Sequence, residues 1–103
     1  MKNKDDFLAY VLDQLRLMRI VEARAMFGGH GLYFEGAFFG IVAQGRVYLK
    51  TSPLTRRRFI EARMKPFRPN ARQTLKTYYE VPAEVLDDAS SVAQWAREAA
   101  SIA

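Results

Sequence analysis

RAMFGGHGLYFEGAFFGIVAQGRVYLK, residues 24–50, decides the fold. It is a series of short β-rich runs punctuated by glycine, which predicts strands at 23–27, 31–35, 37–43 and 46–50. The connections are GGHG (28–31), Glu35-Gly36 and Gln44-Gly45. The last two are tight-hairpin dipeptides, each with a residue that tolerates positive φ. In VYLK (47–50), Val47 and Leu49 share one face and Tyr48 and Lys50 the other, the alternation of a sheet covered on one side only.

Working outward, Phe7, Leu8, Val11, Leu12, Leu15 and Met18 recur at the 3–4 spacing of a half-buried helix over 5–19. On the other side, Ser52 as N-cap and Pro53 in the first turn predict a helix over 53–64, with Leu54, Phe59, Ile60 and Ala62 packing inward. Pro66 and Pro69 forbid its continuation and leave 65–73 as a loop or short edge strand. TLKTYYEV (74–81) alternates again as the last strand. Pro82 opens a helical turn through Leu86, and a helix over 90–102, capped by Ser90 or Ser91, aligns Val92, Trp95, Ala96, Ala99 and Ile102. Phe7, Phe27, Phe34, Phe39 and Trp95 fall at core spacings. Hairpin-linked strands with helices before and after argue an α+β fold. The expectation is one two-layer domain over 1–103, in the order α-β-β-β-β-α-β-α. An antiparallel sheet of five to six strands carries helices on one face.

At 103 residues, half of them apolar, one packed core is feasible. With no cysteine there is no disulfide, thiolate metal site or thiol nucleophile. MKNKDDFLAY has aspartates where a signal peptide needs apolar residues, and no run approaches the roughly 20 apolar residues that cross a bilayer. A cytoplasmic protein without membrane association is expected.

Gly28, Gly29, His30 and Gly31 look most like a site. A phosphate cradle would lead into a helix, but Gly31 leads into LYFEG, a strand, and GxGxxG is absent. Gly40 and Gly45 have P-loop spacing but continue with Arg46-Val47 where Lys-Ser/Thr is needed. His30 is the sole histidine and has no cysteine to join it as a metal ligand. It also has no nucleophile or orienting acid at a recognisable spacing. The four residues read as a strand-to-strand turn. Glu35, Glu80, Asp87 and Asp88 form no catalytic constellation either. No catalytic residue, metal or cofactor is expected.

The net charge of +5 is unevenly spread: residues 46–76 hold ten cations against Glu61 alone, and the rest of the chain is acidic on balance. Such asymmetry points to an anionic partner. Arg56, Arg57 and Arg58 are successive residues of a helix, each turned about 100° from the last, so they cannot share one face. At least one must lay its aliphatic stem on apolar surface. Arg63, Lys65, Arg68, Arg72 and Lys76 follow, with Tyr78 as the aromatic that shares a face with Lys76. These nine residues are the candidate binding set. No helix-turn-helix, zinc finger or RNP motif accompanies them.

Residues 24–50 together with Phe59, Pro66-Phe67, TYYEVPAEVLDD (77–88) and Gln94-Trp95-Ala96-Arg97 resemble the N-terminal domain of the TfoX/Sxy family. That family's pattern is similar to an MFGGxGxY hairpin, an LYLK strand, a YYEVP strand end and a WAxxA helix. The likeness covers 24–99, in order. It implies an antiparallel α+β domain and a link to natural competence, in which the best-known members co-activate transcription alongside the cyclic-AMP receptor protein. Many members carry a second, helical C-terminal domain, and this sequence ends at Ala103, so a domain of the N-terminal type alone is expected. The resemblance supplies no catalytic residues. Non-enzymatic regulation through a protein partner is therefore the expected function, and weakly specific nucleic-acid binding through the same basic segment is the alternative. An uncovered sheet edge would also let two copies pair, although the edge strands cannot be named from sequence.

Overall fold

The computed structural model describes residues 4–26 and 28–102. Helix α1 (Lys4–Gln14) and a 3-10 turn (Arg16–Met18) precede strands β1 (Glu22–Met26), β2 (Gly29–Phe34), β3 (Ala37–Ala43) and β4 (Arg46–Lys50). Helix α2 (Pro53–Glu61), strands β5 (Pro66–Asn70) and β6 (Gln73–Glu80), a short α3 (Ala83–Leu86) and α4 (Ala89–Ile102) complete the chain. The sheet has six strands in the order β1-β2-β3-β4-β6-β5, every neighbour antiparallel, as expected of an α+β domain. Residues 66–70 are the short edge strand that the prolines allow.

The β2–β3 and β3–β4 hairpins turn as the sequence indicates. Glu35-Gly36 (φ 51° and 83°) and Gln44-Gly45 (φ 57° and 71°) are left-handed at both positions, the two-residue geometry that matches strand twist. GGHG corrects the turn expectation. Only Gly28 has a left-handed φ, at 73°, whereas Gly29, His30 and Gly31 are strand residues paired with Met26, Ala25 and Arg24. Glycine is needed there for space. A Cβ on Gly29 would lie 2.1 Å from the Val42 carbonyl oxygen, and one on Gly31 would lie 2.7 Å from the Met26 methyl carbon.

One face of the sheet carries the helices. Leu32, Phe39 and Leu49 from the strands, with Val81 just past the end of β6, bury against Val11, Leu15, Met18, Val92 and Ala96. Leu32 pairs with Gly40 but Tyr33 with Phe38, so Phe39 is an extra residue, and this bulge turns its ring into the helix-side core. Ala93, Ala96 and Ala99 are all buried, and their small side chains bring α4 close to β3 and β4. Asp88, not a serine, caps α4: its Oδ1 accepts the backbone N–H groups of Ser90 (3.1 Å) and Ser91 (3.3 Å). Buried Gln14 donates to the Leu86 carbonyl at 2.9 Å and ties α1 to α3. Phe39 is fully buried, while Phe7, Phe34 and Trp95 are half-buried against the same core. Phe27 lies outside the described residues.

The opposite face is not open, contrary to the alternation of VYLK. Ile41, Ala43, Tyr48, Phe67 and Tyr78 form a second buried cluster with Phe38 and Leu75 at its margin. Phe67 of β5 reaches Tyr48 of β4, ring centroids 4.8 Å apart, across the intervening β6. The β5–β6 register is irregular on both sides of Phe67, between Pro66 and Phe67 and between Phe67 and Asn70. Tyr33, Phe38 and Tyr78 stack in a row at 5.2 Å spacings. Aromatic side chains therefore cover the face that no helix covers.

Candidate partner-binding surface

Helix α2 begins with reciprocal caps. The Ser52 hydroxyl accepts the Thr55 N–H at 3.2 Å, and the Thr55 hydroxyl accepts the Ser52 N–H at 2.9 Å. Thr51, just before, is fastened to β6: its N–H and hydroxyl both donate to the Thr77 carbonyl, at 2.7 and 2.8 Å. Arg56 closes this corner by donating to the Thr51 hydroxyl (2.8 Å) and carbonyl (3.3 Å). Its guanidinium is held within the fold and is not offered outward.

Arg58 is also turned inward. Its guanidinium lies over the Trp95 ring, 3.9 Å from the centroid, and 2.7 Å from Glu98. Phe59, the one buried residue of α2, meets Trp95 edge-on at 5.0 Å. Arg58 and Phe59 together clamp α2 to α4. The Arg58 Nε is buried without a hydrogen-bond partner among the described residues, so the ring and the single carboxylate carry the contact.

Arg57 points the other way, about 200° round the helix from Phe59. Leu54 and Ile60 flank it at about 60° on either side, and they are 75 % and 55 % exposed. Ala62 is exposed too. This corrects the expectation that Leu54, Ile60 and Ala62 pack inward. Part of the signal was present in the sequence: once Phe59 is taken as core, helical phase puts Leu54, about 140° away, outside, whereas Ile60 lies about 100° from Phe59, as inward-turned Arg58 does, and phase alone does not decide its side.

The helix ends in left-handed Arg63, φ 63°. Its N–H bonds to the Ile60 carbonyl (2.9 Å) and that of Met64 to the Phe59 carbonyl (2.9 Å), the paired closure in which glycine ordinarily takes Arg63's place. Arg63 is exposed, as are Arg57, Lys65, Arg68, Arg72 and Lys76, and none of them has an ion pair among the described residues. Arg68 donates to the Ala71 carbonyl at 3.0 Å and Asn70 accepts the Arg72 N–H at 2.8 Å, which fixes the β5–β6 turn.

Lys65 and Arg68 come together with Arg46, Tyr48, Thr74 and Glu80 around a groove of about 410 Å³ at the β5 side of the sheet. Glu80 pairs with Arg46 at 3.6 Å and stands opposite Tyr48 in the β4–β6 register. Burial first, then the Glu80 charge, push the Tyr48 hydroxyl above its ordinary pKa, with Arg46 opposing. Arg46 and Glu80 are 34 residues apart, so only the strand pairing reveals this groove.

Tyr78 does not serve as a stacking platform. It is 8 % exposed, its ring is stacked on Phe38, and its hydroxyl faces the Phe38 carbonyl at 3.4 Å. A bulge explains why β-alternation misleads here: Tyr79 pairs with Pro66 but Leu75 with Phe67, so the facing changes between residues 75 and 79. The nine sequence candidates thus divide. Arg56, Arg58 and Tyr78 are engaged within the fold, and Arg57, Arg63, Lys65, Arg68, Arg72 and Lys76 are presented to solvent.

His30 sits within β2, Glu35 in the β2–β3 turn and Glu80 at the groove, whose lining includes neither of the other two. No group of three or more His, Cys, Asp and Glu placed to hold a metal occurs among the described residues. No helix among them is long and apolar enough to cross a membrane. A comparison with curated proteins found no match. The profile of the TfoX N-terminal domain, by contrast, matches residues 13–103, spanning the whole sheet, the α2 surface and the groove, and the chain belongs to that family.

Proposed function

We propose that this TfoX N-terminal domain is a non-enzymatic, cytoplasmic regulatory module that works by touching a protein of the transcription machinery with the outer face of α2. The observation that carries the reading is the exposure of Leu54 and Ile60 on either side of Arg57. Apolar side chains left in water add nothing to a phosphate-contacting surface, but they are the usual centre of a protein interface with arginine beside them. Arg63 and Lys65 follow directly and supply a basic rim for an acidic partner surface. Family membership supports the regulatory class. The resemblance to competence co-activators names the cyclic-AMP receptor protein as the partner to try first.

The alternative, weakly specific nucleic-acid binding, is favoured by a different observation: Arg68, Arg72 and Lys76 are exposed and without ion pairs among the described residues. Fluorescence anisotropy separates the two. Labelled duplex and single-stranded DNA are titrated at several salt concentrations, with and without purified cyclic-AMP receptor protein on its site. The protein-contact reading expects binding only when the receptor is present. Binding to DNA alone, with log K falling linearly with log salt, would replace it with the nucleic-acid reading.

A further inference from the structure

The two edges of the sheet are treated differently. On β5, Pro66 and Pro69 remove backbone donors and blunt the edge. On β1, the sequence EARAM has neither proline nor lysine, and among the described residues its only strand neighbour is β2. Beside it lies Ile20, at 82 % the most exposed large apolar side chain described. The charges this edge carries, Glu22 and Arg24, are of opposite sign, so they exclude unlike strands but leave it a template for one of complementary pattern.

We propose that β1 pairs with β1 of a second copy, antiparallel, about a two-fold axis through Ala23. Opposed residues of an antiparallel pair share a face, so a two-fold axis must pass through a residue and not between two. An axis at Glu22 or at Arg24 would set like charges against each other. An axis at Ala23 sets Glu22 of one copy opposite Arg24 of the other, twice. The same register opposes Val21 to Ala25, Ala23 to Ala23, and the exposed Ile20 to Met26.

Each row then meets its like. Val21 and Ala23 lie against the helix-side core, so their row extends that core across the junction. The small Ala23 and Ala25 allow the ordinary strand spacing of about 4.8 Å. On the other face, Glu22 and Arg24 already sit 3.8 Å apart within one copy, with Arg24 4.5 Å over the Tyr33 ring. Pairing turns each isolated ion pair into an alternating four-charge cluster. The product is a continuous twelve-stranded sheet, built from the six strands of each copy. The α2 surface and the groove lie toward the other edge and stay open in both copies.

The test is sedimentation equilibrium of the full chain up to about 1 mM, the weak end of specific association. It is combined with hydrogen exchange read residue by residue. The expected result is a monomer–dimer equilibrium with concentration-dependent protection confined to residues 20–26. Arg24→Glu, which opposes Glu22 to a glutamate, should weaken dimerisation about tenfold or more, and Glu22→Arg combined with Arg24→Glu should restore it. Ile20→Asp, outside the strand and exposed, should weaken it without altering the thermal midpoint. A monomer throughout the range would overturn the proposal. So would protection at β5 or α2 instead, or a dimer that the charge swap fails to rescue.

Discussion

Arg58 stands over Trp95, 3.9 Å from the ring centroid, while its neighbour Arg57, about 100° further round the same helix, projects into solvent. Adjacent arginines that look alike in sequence therefore do different work, one in the fold and one at the surface. Arg58→Ala removes both the ring contact and the 2.7 Å pair to Glu98, at an expected cost of about 1–2 kcal/mol. For a domain of this size the thermal midpoint should fall by roughly 4–8 °C per kcal/mol. Arg57→Ala should leave stability within about 0.5 kcal/mol of the parent, by the same thermal-unfolding measurement.

Arg63 breaks a local rule in an informative way. Its left-handed backbone costs an L-residue about 1 kcal/mol that glycine does not incur. Arg63→Gly should accordingly stabilise the domain by about that amount in urea unfolding. If Arg63 serves the basic rim of α2, the same variant should lose partner affinity, so stability and binding would move in opposite directions.

The glycines of the first hairpin should rank by space and not by backbone angle. At Gly29 a methyl group meets a fixed backbone carbonyl 2.1 Å away, and Gly29→Ala should cost about 3 kcal/mol or more. At Gly31 the nearest atoms are the movable end of Met26, so Gly31→Ala should cost less. Gly28 has open space around its missing Cβ, and only its φ of 73° resists substitution; Gly28→Ala should cost about 1 kcal/mol. Urea midpoints for the three variants provide the ranking.

The aromatic face sets an alkaline limit. Burial is the first cause that raises the pKa of Tyr48 and Tyr78 above the ordinary 10.0, so the native state holds both protons more tightly than the unfolded chain does. Their contribution to stability is whole below pH 10.0 and is lost as pH rises from there through the folded-state values. Unfolding free energy measured across that range should decline, and Tyr48→Phe with Tyr78→Phe should flatten the decline. Ultraviolet titration of the phenolates in the native protein should show these two ionising late, together with Tyr10, whose hydroxyl is held by its hydrogen bond to Asp87.

Most of the fold was legible because local chemistry and tertiary packing agree over residues 22–50. Glu35-Gly36 and Gln44-Gly45 fix two hairpins, and Ser52-Pro53 fixes the start of α2. The failures have specific physical causes. Gly29 and Gly31 were read for backbone freedom, when their role depends on Val42 and Met26, residues the strand pairing brings beside them. Tyr78 was buried by the aromatic cluster on the face that no helix covers, where it stacks on Phe38, and Tyr48 was covered by Phe67 from two strands away. The candidate surface was half legible. The charge of 46–76 is plain in sequence, but which arginine points outward depends on where Phe59 and Trp95 meet.

The proposed protein contact of the outer α2 face is anchored by Leu54 and Ile60. Its most direct test is the affinity of the Leu54→Asp, Ile60→Asp double variant for promoter-bound cyclic-AMP receptor protein, measured beside an Arg68, Arg72, Lys76→Ala triple variant at two salt concentrations. Contact through α2 predicts that the double variant loses about 30-fold or more in affinity with an unchanged thermal midpoint, and that the triple variant binds nearly as the parent does. Full binding by the double variant, with loss in the triple variant and a steep dependence on salt, would contradict it and assign the surface to nucleic acid.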